Sequence, residues 1–443
     1  MARGKRAAKE LSPEEKLQQA LVPAEEQPYL IPENWCWTTV DKVATIITGG
    51  TPSKKNPGYY GDVFPFFKPT DLDAGRHVIK ASEYLSESGK NIARIIPQES
   101  TAVCCIGSIG KSGYLEVEGT TNQQINSAIP KFNPLYLFYF MNTDNFVNQL
   151  WSKSSATTIS IVNKAKMESC YFPLAPLDEQ HRIVSRIESL FAKLDEAKEK
   201  VQAVVDGFEL RKSAILHKAF TGELTERWRK EHGRSDADWH VARFDEVAEI
   251  KSNLVDPADY QDFPHIAPDN IEKKTGILLE YHTIAEDGVK SGKHLFHAGQ
   301  ILYSKIRPYL SKVIIVNFDG LCSADMYPVN AKENARYLWY YLLSDEFLEQ
   351  ASNAGSRSVL PKINQKELSK VMVRITSLEE QQAIAIILDD IFKNEQQAKS
   401  AAEAVLAQID TMKKAILARA FRGELGTNDP KEEWAGELLK NRI

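Results

Sequence analysis

The stretch Lys212-Ser-Ala-Ile-Leu-His-Lys-Ala-Phe-Thr-Gly-Glu-Leu224 returns 201 residues later as Lys413-Lys-Ala-Ile-Leu-Ala-Arg-Ala-Phe-Arg-Gly-Glu-Leu425. The same offset carries Leu177-Asp-Glu-Gln-His-Arg-Ile183 onto Leu378-Glu-Glu-Gln-Gln-Ala-Ile384. Self-similarity at a fixed spacing marks a repeat architecture. The sequence therefore predicts two copies of one unit, each ending in a similar long segment.

The repeat extends upstream of these segments into parts of the chain that have diverged. Phe138 corresponds to Trp339 at the offset of 201, and a weaker match of Trp35 to Trp239, at an offset of 204, marks the start of each unit. The chain is therefore interpreted as a tandem duplication with divergent globular parts and similar helices.

The two similar segments carry the periodicity of coiled-coil helices. Apolar residues recur in steps of three and four, and this seam is interrupted at Arg211 in the first helix and at Glu395 in the second. Each seam is expected to pair with the other, antiparallel, and an unbroken helix over 176–224 would be about 70 Å long. Gly222 and Gly423 are suited to end the helices. The predicted seam positions are Ile183, Ile187, Leu190, Leu194, Ala197, Val201, Val204, Phe208 and Ile215, then Ile384, Leu388, Ile391, Ala398, Ala402, Val405, Ile409, Met412 and Ile416.

The globular parts contain short apolar runs between turn residues, such as 101–106 and 300–303, which predict strands. A late helix is expected in each part, over 135–150 and 336–351. The fold class is thus α+β, with two mixed α/β domains, two long antiparallel coiled-coil helices and an internal pseudo-two-fold repeat. The expected divisions are an N-terminal arm at 1–29, a first domain at 30–176, a helical region at 177–235, a second domain at 236–377 and a second helical region at 378–443.

Composition excludes several classes of protein. The chain has 443 residues and is 43% hydrophobic, which suits a globular multi-domain protein. It contains no apolar run long enough for a membrane helix, and its basic first residues precede no apolar stretch, so a cytoplasmic location is expected. The five cysteines form no C-x-x-C pair and are expected to be reduced and mostly buried. The polar residues 1–27 are expected to form a loose docking arm.

Charge does not by itself point to nucleic acid. The net charge is −5, and the two globular parts carry 13 Lys+Arg against 12 Asp+Glu in 30–176 and 16 against 20 in 236–376. Neither domain is basic, so any nucleic-acid contact must come from local clusters or from partner subunits.

Three short motifs look chemical but have simpler interpretations. Cys105-Ile-Gly-Ser-Ile-Gly-Lys-Ser112 lacks the first glycine of a phosphate loop, and the second unit has Ile301-Leu-Tyr-Ser-Lys-Ile-Arg-Pro308 at this place instead. Asn133-Pro-Leu-Tyr136 is interpreted as a helix N-cap. Pro268-Asp269 and Glu272-Lys-Lys274 form an ordinary turn. No catalytic, cofactor or metal residues are predicted.

Polar loops in each unit offer side chains that could contact nucleic acid. Amides pair with adenine edges, and arginine or lysine with guanine or phosphate, although capping of turns and solvated surface charge are the competing interpretations. The candidates are Thr51, Ser53, Lys54, Lys55, Lys68, Lys111, Asn122, Gln123, Gln124 and Asn126 in the first unit, and Ser304, Lys305, Arg307, Tyr309, Arg357 and Ser358 in the second.

Several motifs in order resemble one protein family. Asn34-Trp35-Cys36-Trp37, the Gly-Gly-Thr-Pro-Ser loop, the Leu-x-Glu-Gln helix start and Ala-Phe-x-Gly-Glu-Leu are similar to the specificity subunits of type I restriction-modification systems. The resemblance runs from about Ile31 to Leu425. In the second unit the loop reads Lys251-Ser-Asn-Leu254 and the Asn-Gln-Gln cluster has no counterpart, so its reading residues cannot be carried over.

The resemblance implies a non-catalytic reader of double-stranded DNA. Each target-recognition domain would contact one half of a split site, and the paired helices would set the gap. The implied partners are methyltransferase subunits using S-adenosylmethionine and restriction subunits using ATP and Mg, with no cofactor in this chain and no membrane. The alternatives are a coiled-coil scaffold without DNA readout and, third, a methyltransferase or nuclease.

Overall fold

The computed structural model describes residues 12–155, 159–354 and 361–442. The chain forms two compact units. Unit 1 takes Met1–Lys200 and Val405–Ile443, and unit 2 takes Val201–Ala404. Both long helical segments contribute residues to both units.

The described residues of unit 1 form two four-stranded sheets and a two-stranded ribbon. One sheet has the antiparallel order β2-β9-β6-β7, and the other has the order β3-β5-β4-β8, with β4 and β8 parallel. The ribbon joins β1 to β10, which directly precedes the first long helix. The strands are β1 (Cys36–Thr39), β2 (Ala44–Thr48), β3 (Tyr60–Gly61), β4 (Phe64–Phe67), β5 (Glu83–Leu85), β6 (Thr101–Cys104), β7 (Ser112–Tyr114), β8 (Thr120–Thr121), β9 (Ile125–Pro130) and β10 (Tyr171–Leu174).

The helices of unit 1 surround this sheet core. Asn133 caps α4 by accepting a hydrogen bond from the Tyr136 N–H, with Pro134 in the first turn, as the sequence predicted. The helices are α1 (Pro13–Ala20), α2 (Val40–Val43), α3 (Glu87–Lys90), α4 (Pro134–Met141), α5 (Asp144–Lys153), α6 (Lys164–Glu168) and the long α7 (Leu177–Asp206).

Unit 2 repeats this plan. Its antiparallel sheet has the order β12-β20-β17-β18, its second sheet the order β13-β16-β19-β14-β15, and β11 pairs with β21. The strands are β11 (His240–Arg243), β12 (Ala248–Ile250), β13 (Leu254–Val255), β14 (Pro264–Ile266), β15 (His282–Thr283), β16 (Lys293–Phe296), β17 (Ile301–Ser304), β18 (Val313–Ile315), β19 (Gly320–Cys322), β20 (Met326–Ala331) and β21 (Met372–Ile375). The helices are α8 (Phe208–Phe220), α9 (Glu226–Glu231), α10 (Phe244–Val247), α11 (Ala335–Leu342), α12 (Asp345–Ala354) and α13 (Gln365–Leu368).

The second long helix, α14 (Leu378–Ala420), is unbroken over 43 residues, and α15 (Ala435–Lys440) follows it. Gly222 and Gly423 adopt left-handed φ values of 84° and 72° just after α8 and α14, so the predicted helix ends are confirmed. The α+β fold with an internal repeat and a long helix pair is confirmed as well.

The two long helices pair antiparallel within each unit. In unit 1, Lys413 contacts Asp195 at 2.5 Å and Lys198 contacts Asp410 at 3.4 Å, so residue numbers fall on one helix as they rise on the other. In unit 2, the Lys399 ammonium lies 5.0 Å from the Phe208 ring centroid and Arg211 binds Glu395. The two interruptions of the predicted seam are therefore bonded to each other.

The single late helix predicted in each unit is wrong, because the structure has two. α4 and α5 are separated at Thr143, whose hydroxyl accepts from the Phe146 N–H, and α11 and α12 at Ser344, which caps Phe347 in the same way. A hydroxyl residue followed by Asp is an N-cap signal that apolar periodicity alone overlooks.

The first long helix also departs from the expected unbroken rod. It is divided at Gly207, where the Arg211 guanidinium folds back to donate to the Val204 carbonyl at 3.2 and 3.3 Å. A Cβ at position 207 would lie 2.8 Å from the Arg211 side chain, so glycine leaves the room that this contact needs.

The phase of the predicted seam is wrong at four positions, Val204, Ala398, Val405 and Met412, which are exposed. Val204, Val405 and Met412 are 41–48% exposed, whereas Val205 and Leu406 are less exposed. Two sets of apolar positions can form the seam. They share most of their residues and differ only in whether a step of three or a step of four comes first. The sequence alone does not discriminate between them, because both phases offer apolar residues.

Residues 12–27, expected as part of a loose arm, are folded within unit 1. Leu17, Ala20 and Val22 are buried, and the Glu14 carboxylate lies 2.9 Å from Lys440 of α15. Apolar residues at turn spacing in a polar segment supply this packing. None of the helices among the described residues combines the length and the hydropathy that a membrane crossing requires.

Candidate nucleic-acid interface

Two of the predicted loops in unit 1 lie against each other at the ends of β2, β8 and β9. The Gly49 N–H donates to the Ile125 carbonyl at 2.9 Å, and the Gly50 N–H donates to the Thr121 carbonyl at 2.8 Å. A Cβ at Gly49 would lie 2.1 Å from the Asn122 carbonyl oxygen, so only glycine permits this approach. The hydroxyl of Thr51 then reaches the Gln123 side chain.

The four amides of the second loop do not share one environment. Asn122 and Asn126 are 9% and 3% exposed; Asn122 donates to the Gln124 amide oxygen at 3.0 Å, and Asn126 accepts from the Thr48 hydroxyl at 2.7 Å. Gln123 is exposed and Gln124 is half-buried. Asn122 and Asn126 thus stabilise the loop, and Gln123 and Gln124 are the amides that solvent reaches. A base contact by any of the four stays a prediction.

The cations of unit 1 divide into paired and unpaired groups. Lys111 lies 2.5 Å from Asp73, and Lys68 lies 2.6 Å from Glu83. Ser53, Lys54 and Lys55 are exposed, and within residues 12–155, 159–354 and 361–442 neither lysine forms an ion pair. Lys54 and Lys55 therefore have the freedom that a phosphate contact requires.

The turn 105–112, which resembles a phosphate loop in sequence, packs against α5. Gly110 has a φ of 88°, and a Cβ there would lie 2.9 Å from the Val147 side chain on α5. The glycine is thus explained by close packing against a helix.

In unit 2 the corresponding turn is built on unusual backbone angles. Arg307 and Ser311 are non-glycine residues with φ values of 48° and 44°, and the Arg307 N–H donates to the Pro361 carbonyl at 2.8 Å. The Arg307 side chain is exposed, as is Tyr309 at 47%. Left-handed angles at such residues persist only where the surroundings enforce them, and they cluster at functional sites.

The remaining candidates of unit 2 have different surroundings. Ser304 is buried and its hydroxyl donates to the Ile306 carbonyl, so its side chain faces the domain. The Lys305 ammonium donates to the Ala324 carbonyl at 2.6 Å and lies 5.3 Å from the centroid of the Tyr327 ring. Arg357 and Ser358 lie outside the described residues.

These two turns correspond in a different register from the one that the sequence predicts. The Cys104 N–H donates to the Lys111 carbonyl at 2.7 Å, and the Ser304 N–H donates to the Lys312 carbonyl at 3.0 Å. The turn 105–111 therefore corresponds to 305–312 and not to 301–308. The two turns differ by one residue in length, so a comparison of residue types at a fixed spacing places them out of register.

The Asn-Gln-Gln cluster does have a counterpart in unit 2. Its position is occupied by Ser323-Ala-Asp325, because the N–H of Cys105 donates to the Gln124 carbonyl at 2.7 Å and that of Lys305 to the Asp325 carbonyl at 3.0 Å. Asp325 and its neighbour Lys362 were missed as candidates. The offset of 201 that relates the helices also carries 124 onto 325 and would have found it.

The repeated Leu-x-Glu-Gln motif joins each globular part to its long helix. Gln180 accepts from the Asn133 N–H at 3.2 Å and donates to the Ala175 carbonyl at 2.8 Å. Gln381 makes the equivalent bonds to Asn334 at 3.1 Å and Thr376 at 2.9 Å. Both glutamines are fully buried, and a buried amide needs such hydrogen bonds, which explains why glutamine recurs at this position.

The glutamate of the motif binds the segment that follows the other long helix. Glu179 accepts from the Thr427 hydroxyl at 2.7 Å, and burial raises the pKa of this carboxyl. Glu380 accepts from Thr225 and from Arg229, each at 2.6 Å. The glutamate at the start of each long helical segment thus binds the residues that follow the end of the other segment.

The cysteines are free thiols buried within the described residues, as expected. Burial raises the pKa of Cys36, Cys105, Cys170 and Cys322 to about 12, so these thiols stay protonated near neutrality. Within the described part of the chain, no group of three or more His, Cys, Asp or Glu side chains is arranged to hold a metal ion.

Comparison with known proteins gives a consistent family. Residues 32–205 and 236–404 each match the family described as "Type I restriction modification DNA specificity domain". The specificity subunit of the Escherichia coli type I restriction enzyme EcoDI is 37% identical over 300 residues, covering 63% of this chain and 68% of that protein. The EcoKI specificity subunit of Escherichia coli K12 is 21% identical over 429 residues, covering 89% and 90%.

Solved structures share the fold. A chain from a structure described as the "Structural basis underlying complex assembly and conformational transition of the type I R-M system" has a TM-score of 0.71 at 20% identity, covering 90% of this chain and 100% of that chain. The HsdS subunit from Thermoanaerobacter tengcongensis has a TM-score of 0.59 at 21% identity, again covering 90% and 100%.

Proposed function

Since this chain belongs to the type I restriction-modification DNA specificity family and thus confers DNA sequence specificity, we propose that each unit reads one half of a split DNA site. The observation that carries the proposal is the double match of one DNA specificity domain, at 32–205 and at 236–404. A chain with two such domains has two readers, and the similar helices between them would set the gap between half-sites.

The reading groups are proposed from exposure and chemistry. In unit 1 the loop pair at 48–55 and 121–125, joined by the contact of Thr51 with Gln123, offers the amides of Gln123 and Gln124 and the exposed Lys54 and Lys55. Amides suit base edges, and lysines suit phosphate. In unit 2 the turn at 305–312 would have the same role.

Partner subunits supply the chemistry in this proposal. The relatives are specificity subunits, so this chain would act as the non-catalytic reader beside methyltransferase subunits using S-adenosylmethionine and restriction subunits using ATP and Mg. Such a complex acts on double-stranded DNA, for which we propose a cytoplasmic location. A coiled-coil scaffold without DNA readout is not favoured, because the matched family is defined by DNA specificity.

The proposal is tested by mapping adenine methylation in cells that carry the methyltransferase partner with or without this chain. A split motif with a fixed gap should appear only when the chain is present. Replacing 30–176 by the equivalent domain of a relative should change one half of the motif and leave the other half and the gap unchanged. Identical methylation with and without the chain, while the partner is active on a known target, would refute DNA reading.

A further inference from the structure

One loop position has the same backbone in both units but different side-chain chemistry. The Gln124 N–H donates to the Asn122 side-chain oxygen at 3.1 Å, and the Asp325 N–H donates to the Ser323 hydroxyl oxygen at 3.2 Å. The Gln124 carbonyl accepts from the Cys105 N–H, and the Asp325 carbonyl accepts from the Lys305 N–H. The loop thus fixes the backbone of residue 124 or 325 in the same way, while the side-chain partners differ: the Gln124 amide oxygen accepts from Asn122 and the Asp325 carboxylate accepts from Lys362.

The residues around position 325 are charged, whereas the corresponding residues around position 124 are not. In unit 2, the Lys362 ammonium donates to the Asp325 carboxylate at 3.1 Å, and Lys305 lies 4.0 Å from the same oxygen. The corresponding residues of unit 1 are the uncharged Cys105 and Ile161, placed by the equivalent bridges from 106 to 161 and from 306 to 362. The carboxylate of unit 2 therefore has a lysine at both of these neighbouring positions, and the amide of unit 1 has a lysine at neither.

The pair in unit 2 is accessible to solvent. The Asp325 and Lys362 side chains are 42% and 39% exposed, so both reach the surface beside the exposed Arg307. Ion pairs with this exposure contribute little to stability, which leaves recognition as the better explanation of the paired substitution.

The chemistry of each version matches a different base pair. In the major groove, guanine presents two acceptors and cytosine one amino donor, so an ammonium beside a carboxylate complements a G·C pair. Adenine presents an acceptor beside a donor, which an amide complements. We infer that 124 and 325 are equivalent base-reading positions, at which Gln124 reads an A·T pair and Asp325 with Lys362 reads a G·C pair. This inference rests on the proposed function.

The decisive variant gives unit 2 the chemistry of unit 1 by combining Asp325→Gln with Lys362→Ile. Methylation mapping with the active partner should show that one position of one half-site loses its preference for G·C, by roughly 5- to 150-fold in methylation rate on matched duplexes. The other half-site and the gap should not change. Gln124→Ala should relax one A·T position in the half-site that the first variant leaves intact.

Controls separate base reading from folding. Asp319→Asn is the matched control, because the Asp319 carboxylate also contacts a nitrogen-bearing side chain, the His297 imidazole at 3.1 Å, but Asp319 precedes β19 whereas Asp325 follows it. This variant should keep the wild-type motif. The isosteric Asp325→Asn, which keeps the shape of the loop, should relax the same position as the double variant.

Each outcome decides the inference. Loss confined to one G·C position supports it, and an unchanged motif in both Asp325 variants overturns it. A uniform loss of methylation at both half-sites also counts against base reading, because it indicates a structural role. If the wild-type chain yields no split motif, the proposed function fails first and the inference fails with it.

Discussion

The buried carboxylate of Glu380 shows how one residue closes unit 2. Its side chain is 0% exposed and accepts from Thr225, Arg229 and Thr376, while the Arg229 side chain is 8% exposed. Removing one partner of a buried ion pair leaves an uncompensated charge in a medium that solvates it poorly. Because it is buried, the Arg229–Glu380 pair should contribute more to the stability of unit 2 than the exposed ion pairs of α9 do.

We predict that Arg229→Met lowers the free energy of unfolding of unit 2 by about 3–5 kcal/mol. Arg227→Met is the matched control on α9, because Arg227 pairs with Glu231 at 2.7 Å while its side chain is 91% exposed. The control should leave the free energy of unfolding nearly unchanged, because ion pairs this exposed contribute little. Guanidinium denaturation, followed by tryptophan fluorescence, measures both. Equal losses in the two variants would show that burial does not decide the contribution.

Sequence reasoning succeeded at residues whose partners are local. The cap at Asn133 and the helix-ending Gly222 depend on neighbours within a few positions, so their letters suffice. Glu179 and Glu380 recur in the sequence just as plainly, but their partners Thr427 and Thr225 are separated from them by 248 and 155 residues. Only the folded chain shows why these carboxylates are retained.

At the scale of the helices, the two breaks in the apolar seam form one bond. The Arg211 Nε lies 3.0 Å from the Glu395 carboxylate, with the two side chains 40% and 25% exposed. Replacing Arg211 alone by leucine leaves Glu395 against an apolar surface and should lower the free energy of unfolding by about 1 kcal/mol. Combining it with Glu395→Leu completes the seam and should recover at least that loss. A double variant less stable than either single variant would contradict this account, and denaturant midpoints measure it.

The length of the helices makes a separate prediction. Deleting 201–207 and 402–408, which are equivalent in the repeat, removes about 10 Å from each helix at 1.5 Å per residue. We expect the preferred gap to shrink by about three base pairs while both half-site sequences stay the same. Methylation of duplexes with varied gaps measures this. Replacing the same fourteen positions by alanine keeps the length and should leave the gap unchanged, and a gap unaffected by the deletion would defeat the idea.

The elements themselves were more predictable than their boundaries and phase. Strands at 101–106 and 300–303 were found from apolar runs, and β6 and β17 begin at residues 101 and 301. The late helices and the seam phase were misjudged where two solutions satisfy the same apolar pattern. Local caps at Thr143 and Ser344 divide the late helices, and packing between distant segments decides the phase of the seam. Apolar periodicity contains neither kind of information.

For the whole molecule, charge limits how the chain binds DNA alone. The net charge is −5, and Lys68 and Lys111 are held by Glu83 and Asp73. Each phosphate neutralised contributes about −0.9 to the slope of log K against log salt concentration. We expect a shallow slope for the isolated chain and a slope steeper by several units when the methyltransferase partner is bound. Fluorescence anisotropy over a salt series measures both, with Lys54→Ala and Lys55→Ala together reducing the slope by about two. Equal slopes with and without the partner would show that this chain makes the phosphate contacts itself.

The division of the chain between its units also fixes an order of completion during translation. Unit 2 is one continuous stretch, Val201–Ala404, whereas unit 1 combines the first 200 residues with those from 405 onward. Phe421 packs 4.9 Å from Tyr136 in the core of unit 1, and Arg182 binds Glu432 at 2.8 Å. At the usual rate of protein synthesis, the early residues of unit 1 wait roughly 10–40 s on the ribosome for these partners. The unit whose synthesis begins first is therefore the last to be finished, and a chain that ends at residue 404 contains all of unit 2 but lacks the C-terminal part of unit 1.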